Sequence, residues 1–295
     1  MLEILPIPAI IIVSIIVVIW RKAYLSQMFV IANIIIFIYQ FALDASDYAL
    51  SQSLVDYQTF VPARFGQLEY IPTMITSMFM HANAAHLLGN VLILYLLGLP
   101  LEERIGTRNW GVIYFVTGIV ATLSFYFLHM DSESHLLGAS GAIFGIGGAF
   151  LILYPRDRIP MILGFFFTTR APVWLAVGIM FVVETFLVMI SIDDGVAHIA
   201  HVGGIVSGIV IAPLIVKKRE KKEVNLDYDV LRNMTIKDGD LAMVEKIEKE
   251  DEEEVREAWL DYFFKNVARC PKCKRHVERA DVIECECGQV TKITK

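Results

Sequence analysis

Seven long runs of apolar residues occupy most of the first 216 positions, and short polar stretches separate them. A bilayer core about 30 Å thick is crossed by a helix of about 20 apolar residues. The runs therefore predict membrane-spanning helices. They lie at 4–20, 28–43, 82–101, 109–129, 138–154, 172–191 and 197–216.

The composition changes near Lys217. The 295 residues are 56% hydrophobic, yet 18 of the 26 Lys and Arg residues and 19 of the 32 Asp and Glu residues lie from Lys217 onward. The chain therefore divides into a membrane part and a soluble tail. The net charge of -6 mixes both signs and no basic stripe stands clear of acidic neighbours, so we expect no nucleic-acid partner.

The positions of the basic residues predict the orientation, because Lys and Arg near span ends collect on the cytoplasmic side. They fall in alternate loops, whereas the intervening loops are acidic and contain only Arg64 as a basic residue. The basic loops contain Arg21 and Lys22, Arg104 and Arg108, Arg156, Arg158 and Arg170, and the run KKREKK at 217–222. We predict a multi-pass cell-membrane protein with its N-terminus outside and its C-terminus in the cytoplasm. The first run has basic residues only after it, which favours a retained span over a secretory signal peptide.

Three of the predicted spans place polar residues at a similar depth near their outer ends. Ser140 lies in GASGAIFG, His86 and Asn90 share a helix face in HANAAHLLGN, and His198 and His201 lie in VAHIAHVGG. Polar side chains in lipid usually face a bundle interior or a water-filled cavity. Hydrogen bonds that only hold helices together are the alternative explanation. The match in depth across three helices favours a functional site.

These residue types suit nucleophilic catalysis. A neutral imidazole is the usual base for a serine hydroxyl, and His86, Asn90 and the Ser140 backbone N–H could stabilise the oxyanion. Glu184 falls near mid-membrane, where we expect a protonated packing partner of a residue such as Asn33 or Gln40. With no acid predicted near the histidine, the sequence favours a Ser-His dyad over a triad. A metal site is the weaker hypothesis, because the histidines lack a predicted carboxylate or thiolate companion.

The segments GASGAIFG, HLLGN with the downstream LEERIG, and HVGGIVSG together resemble the rhomboid intramembrane serine proteases. The resemblance covers about 28–216 and implies an all-α polytopic membrane protein with a rhomboid-like six-helix core and one extra N-terminal helix. By motif, Ser140 matches the nucleophile, and His86 and Asn90 match the oxyanion-stabilising pair. His201 matches the base because glycines follow it at +3 and +7, a pattern that His198 lacks.

The resemblance implies an endopeptidase that needs no catalytic cofactor, acts in the lipid bilayer and cuts transmembrane helices of other proteins near their outer ends. Two other functions stay open. An inactive relative could bind and retain membrane proteins, although such a relative is expected to lack Ser140 or His201. A transporter could use Glu184 as its ion or proton site, although the sequence shows no internal repeat.

All four cysteines lie in the tail, in CPKC at 270–273 and CEC at 285–287. Two such pairs predict a structural zinc site formed by Cys270, Cys273, Cys285 and Cys287, with two disulfides as the alternative. Four domains are predicted: an extra N-terminal helix at 1–27, the membrane core at 28–216, a charged helical cytosolic linker at 217–267 and a zinc-ribbon-like module at 268–295. A cytosolic protein is a possible partner of the tail.

Overall fold

The computed structural model describes the backbone of 5–163, 166–190, 197–216, 226–236, 238–250, 253–280 and 282–294. Side chains are described in these ranges except at 161–170, 238 and 253–254. The chain forms two compact units, Met1–Lys218 and Arg219–Lys295.

The first unit is built from helices, and each of the seven predicted spans contains one. Its helices are α1 Pro6–Arg21, α2 Leu25–Ser46, α3 Tyr48–Gln58, α4 Thr73–Thr76, α5 Ala84–Ile93, α6 Leu99–Ile105, α7 Thr107–Leu128, α8 Ser140–Leu153, α9 Val173–Met189 and α10 His198–Ile215. A π-helical segment, Leu94–Gly98, joins α5 to α6 in one continuous helix.

Within the described residues, four helices are long and apolar enough to cross a bilayer: Leu25–Ser46, Ala84–Ile105, Thr107–Leu128 and His198–Ile215. The helices α1, α8 and α9 are also apolar but shorter. Together they confirm the predicted all-α, polytopic membrane fold.

The apolar segment at 160–170 is too short to span a bilayer, and its described residues belong to two paired strands. Strand β1 Arg158–Leu163 pairs with the antiparallel strand β2 Phe166–Pro172, so that Arg158 lies opposite Pro172. The residues 164–165 lie outside the described ranges. Strand pairing satisfies backbone N–H and C=O groups that an irregular turn at the edge of the bilayer would leave without partners.

The short helix α8 packs against both α7 and α10, which also contact each other. Side chains added at Gly204 and Gly208 would overlap the carbonyl oxygens of Gly141 and Gly145, and one at Gly148 would overlap that of Ile205. The backbones of α8 and α10 are thus in direct contact, as the glycine spacing predicts. At about 1.5 Å per residue, α8 is roughly 21 Å long, shorter than the hydrocarbon core of a bilayer.

The start of α2 is fixed by a side chain from a distant helix. The buried carboxylate of Glu102 on α6 accepts hydrogen bonds from the backbone N–H groups of Leu25 and Ser26, each at 2.7 Å. These N–H groups have no acceptor within α2, and a helix N-terminus favours negative charge. Glu102 therefore ties α6 to the beginning of α2.

The second unit combines three helices with a two-stranded sheet. Its elements are α11 Tyr228–Asn233, α12 Asp238–Lys249, α13 Glu253–Asn266, β3 Val282–Glu284 and β4 Val290–Lys292. Leu231, Ile247 and Phe263 from the helices share one hydrophobic core with Cys270 and Ile283. The predicted linker and the predicted ribbon module therefore share this core.

Candidate active site

Ser140 is the first residue of α8, and the preceding turn determines where its side chain lies. Gly138 has a φ of +120°, which residues with a side chain rarely adopt, and its N–H donates to the Ser77 carbonyl at 2.9 Å. A Cβ at Gly138 would also lie 2.7 Å from His86 Nε2. Glycine is thus required here both for the turn and for the close approach of the His86 ring.

His201 is the histidine that contacts Ser140. Its Nε2 lies 2.8 Å from Ser140 Oγ, and its ring stacks on Phe144, one turn after Ser140 on α8, with ring centroids 4.3 Å apart. The imidazole is 7% exposed. The contact between α8 and α10 therefore holds a half-buried serine hydroxyl and a buried imidazole at hydrogen-bond distance.

The expected position of Glu184 is wrong. Its Oε2 lies 2.9 Å from His201 Nδ1 and 2.6 Å from His198 Nδ1, rather than near Asn33 or Gln40. Asn33 donates instead to the Phe29 carbonyl, and Gln40 donates to that of His81. An acid does therefore reach the histidine, contrary to the expectation that none is suitably placed.

The two contacts of Glu184 differ in geometry. His198 Nδ1 and the carboxylate form a hydrogen bond at 2.6 Å. The distance of 2.9 Å between Glu184 Oε2 and His201 Nδ1 is that of an ion pair. The angle is unsuitable for a hydrogen bond, and the buried Nδ1 makes none with the described residues. The carboxylate thus lies beside the ring nitrogen of His201, out of line with its N–H direction.

His86 and Asn90, both on α5, line the same cavity as Ser140 and His201. Helix α5 begins after Asn83, whose side chain accepts the His86 N–H at 2.9 Å, and the His86 ring lies against Gly138. The Asn90 amide donates one hydrogen to the His86 carbonyl at 2.9 Å, which leaves its second N–H for another acceptor. The structure therefore brings both residues to the Ser140 region without a direct hydrogen bond to its hydroxyl among the described contacts.

His81, which lies just before α5, is buried. Its exposed fraction is 0%, and neither ring nitrogen has a hydrogen-bond partner in the described part of the chain. The ring packs edge-on against His86, with centroids 5.1 Å apart. His81 therefore supports the ring of His86, a contact that sequence analysis missed because the two residues belong to different local structures.

A cavity of about 1210 Å³ joins these residues. Ser140, His201, His86 and Asn90 line it, together with side chains of α9 such as Leu187. Its size is sufficient for an extended peptide segment and several water molecules. The predicted nucleophile, base and oxyanion residues thus face one common space.

The four cysteines of the second unit form a separate cluster. Their sulfur atoms all lie within 4.8 Å of one another, with Cys270 and Cys287 3.7 Å apart and Cys273 and Cys285 3.4 Å apart. Tetrahedral zinc with Zn–S bonds of about 2.3 Å separates its sulfur ligands by about 3.8 Å. The cluster fits a metal ion of this kind.

Sequence comparisons relate the first unit to known proteins. The family model described as "Rhomboid domain" matches residues 69–218, half of the chain. "Putative rhomboid protease YdcA" from Bacillus subtilis is 28% identical over 151 residues, which cover 50% of this chain and 69% of that protein. Two Arabidopsis thaliana proteins are also similar. "RHOMBOID-like protein 6, mitochondrial" is 31% identical over 46% of this chain and 40% of its own length, and "RHOMBOID-like protein 2" is 40% identical over 25% and 22%.

The match begins before α5 and ends after α10, so it includes the helices that position His86, Ser140 and His201. The name of the Bacillus subtilis relative connects this domain with proteolysis, and the helices make the chain a multi-pass membrane protein. With half of its length matching the domain, this chain belongs to the rhomboid family.

Proposed function

We propose that this protein is an intramembrane serine endopeptidase with Ser140 as nucleophile and His201 as general base. The observation that carries the proposal is the 2.8 Å contact between Ser140 Oγ and His201 Nε2 in a cavity between membrane helices. Membership of the rhomboid family supports intramembrane protease activity. No metal or organic cofactor is needed for this reaction.

In the first half of the reaction, His201 Nε2 takes the hydroxyl proton as Ser140 Oγ attacks the carbonyl carbon of the scissile bond. The tetrahedral intermediate collapses, the C–N bond breaks, and the imidazolium returns the proton to the leaving amine. An acyl group is then attached to Ser140. In the second half, His201 removes a proton from water as the water attacks the ester. The bond between the acyl carbon and Ser140 Oγ then breaks, the imidazolium returns the proton to Oγ, and the second product leaves as a carboxylic acid.

The oxyanion forms next to the N-terminus of α8. Backbone N–H groups in the first turn of a helix have no acceptor within that helix, and the helix end favours negative charge. The Ser140 N–H belongs to this turn. The His86 ring and the second N–H of the Asn90 amide are the proposed side-chain donors, since both residues line the same cavity.

The proposed substrate is a transmembrane helix of another membrane protein. A helical peptide bond hides its carbonyl in the hydrogen-bond ladder, so the substrate must unwind locally before Ser140 can attack, which favours small or helix-breaking residues at the cut. The placement of basic loops supports an orientation with the N-terminus outside and the tail in the cytoplasm. The cut would then lie near the outer surface of the membrane, where water reaches the cavity.

The test is cleavage of a model transmembrane substrate by the protein in liposomes, beside Ser140→Ala, His201→Ala and His198→Ala. We expect the first two variants to lose at least about 100-fold in rate, since each removes a group that takes part in bond making or proton transfer. His198→Ala is expected to stay within about 10-fold of wild type, because its ring does not contact Ser140. Equal cleavage by wild type and Ser140→Ala would disprove the assignment of the nucleophile. Substrate binding without cleavage would favour an inactive binding protein.

We also infer that Cys270, Cys273, Cys285 and Cys287 bind a structural zinc ion. The sulfur separations of 3.4 and 3.7 Å suit one tetrahedral ion, and the cysteines are free thiols rather than disulfides. Metal analysis of the purified protein is expected to give about one zinc per chain. A metal-free preparation with two disulfides would exclude the site.

A further inference from the structure

One oxygen of Glu184 lies between two imidazole rings. Oε2 is 2.6 Å from His198 Nδ1 and 2.9 Å from His201 Nδ1, and the glutamate side chain is 13% exposed. The other nitrogen of His201, Nε2, contacts Ser140 Oγ. A continuous chain of polar contacts therefore runs from α9 through α10 to the start of α8.

A metal ion held by these three residues is the first explanation to consider, because their ligand atoms lie within 4.8 Å of one another. Nitrogen and oxygen ligands at about 2.1 Å from a tetrahedral ion lie about 3.4 Å apart. Both separations involving Glu184 are shorter than this, and that to His198 is a hydrogen-bond distance. The geometry therefore favours direct contacts over a shared metal.

We propose that Glu184 is a positioning residue for His201, so that the site works with a third member on α9 instead of as an isolated pair. This inference rests on the proposed function, since it assigns a role to the partner of the proposed base. Glu184 does not touch the substrate, and its effect is exerted on His201.

The negative charge acts on His201 in two ways. Beside Nδ1, it favours the tautomer in which this nitrogen carries the proton, which leaves the Nε2 lone pair directed at the serine hydroxyl. When Nε2 takes the serine proton, the ring becomes an imidazolium and the nearby carboxylate stabilises it. No proton moves to Glu184, because the proton stays on Nε2 until the amine leaves.

His198 holds the carboxylate in place. Its hydrogen bond occupies Oε2, and the rings of His198 and His201 are nearly perpendicular, with centroids 6.1 Å apart. The Glu184 side chain is only 13% exposed, and charges interact more strongly where water screens them less, so this carboxylate has a substantial effect on a neighbouring imidazolium. His198 lacks the glycine pattern that identifies His201 as the base. This arrangement gives it a supporting role.

The test uses the full-length protein in liposomes with Glu184→Gln, Glu184→Asp and the matched control Thr185→Val. Thr185 is the next residue on α9, and its hydroxyl donates to the Phe181 carbonyl within the same helix; among the described hydrogen bonds and ion pairs, it has none to either histidine. Two rates are measured for each variant: cleavage of the model substrate, separated into kcat and KM, and covalent labelling of Ser140 by a fluorophosphonate. Labelling reports the reactivity of the serine without requiring a transmembrane substrate.

For Glu184→Gln we expect both kcat and the labelling rate to fall about 10- to 100-fold. KM is expected to stay within about twofold of wild type, and the melting temperature is expected to match that of wild type. Glu184→Asp, which keeps the charge, is expected to recover part of the loss. Thr185→Val is expected to label and cleave as wild type does.

If Glu184→Gln is labelled and cleaves substrate at wild-type rates while Ser140→Ala is inactive, this inference is overturned. The proposed function would then stay intact. A loss in Glu184→Gln that follows a fall in melting temperature and is not recovered by aspartate would show a purely structural role and would overturn it as well. Full activity of Ser140→Ala would remove the proposed function itself, and the role of Glu184 with it.

Discussion

At the scale of single residues, the site depends on a few short polar contacts in a buried setting. Ser140, His201 and Glu184 come from three different helices and meet within hydrogen-bond or ion-pair distance. Each contact is effective because little water competes for the same donors and acceptors. Side-chain substitutions here are therefore expected to change rate more than stability.

Asn90 offers a residue-scale prediction, because a second asparagine makes the same local bond elsewhere. Asn90 and Asn109 each donate to the backbone carbonyl four residues earlier, at 2.9 Å, but only Asn90 lines the cavity with Ser140. If Asn90 stabilises the oxyanion, Asn90→Ala is expected to lower kcat about 100-fold, the size of the loss of one oxyanion donor, while Asn109→Ala leaves it unchanged. Similar kcat values for both variants would show that Asn90 only stabilises its own helix.

At the scale of secondary-structure elements, direct backbone contact between α8 and α10 decides whether Ser140 and His201 meet. A side chain on α10 at Gly208 would overlap the Gly145 carbonyl, so any larger residue must push the helices apart. The tertiary contact that holds the catalytic pair thus depends on glycines that do no chemistry. The Glu102 carboxylate at the start of α2 is a second case of one element fixing the end of another.

Gly208→Ala tests the helix contact, with Gly178→Ala on α9 as its control. A Cβ at Gly178 meets no atom within 4 Å, and alanine is about 1 kcal/mol better than glycine in a helix. We expect Gly208→Ala to lose about 1 to 3 kcal/mol of stability and to cleave more slowly, because the shift separates His201 from Ser140. Gly178→Ala is expected to be as stable as wild type or more so. Thermal melting and liposome cleavage measure both effects, and an unchanged Gly208→Ala would contradict the close-contact argument.

At the scale of the whole molecule, the chain consists of two compact units with separate hydrophobic cores. All the proposed catalytic residues belong to the first, and the four cysteines belong to the second. A small unit with a limited core commonly depends on a bound metal for stability. Loss of the metal is therefore expected to affect the second unit selectively.

Cys273→Ser tests this division. We expect the variant to lose the proposed zinc ion and to become more sensitive to limited proteolysis between 226 and 294. Its cleavage of a model substrate in liposomes is expected to stay within about twofold of wild type. Metal analysis and digestion are read on the same sample. A large loss of activity with an intact first unit would show instead that the second unit supports catalysis.

The sequence by itself determined the seven apolar helices, because the length of each run must match the bilayer. Because polar groups are costly in lipid, it also indicated four candidate site residues: Ser140, His201, His86 and Asn90. The placement of Glu184 was decided only by the tertiary structure. Local sequence does not define how far α9 is shifted or rotated relative to α10, so the distance from its carboxylate to His201 follows from packing alone. The burial of His81 and the pairing of β1 with β2 likewise depend on contacts between segments that periodicity along one segment cannot reveal.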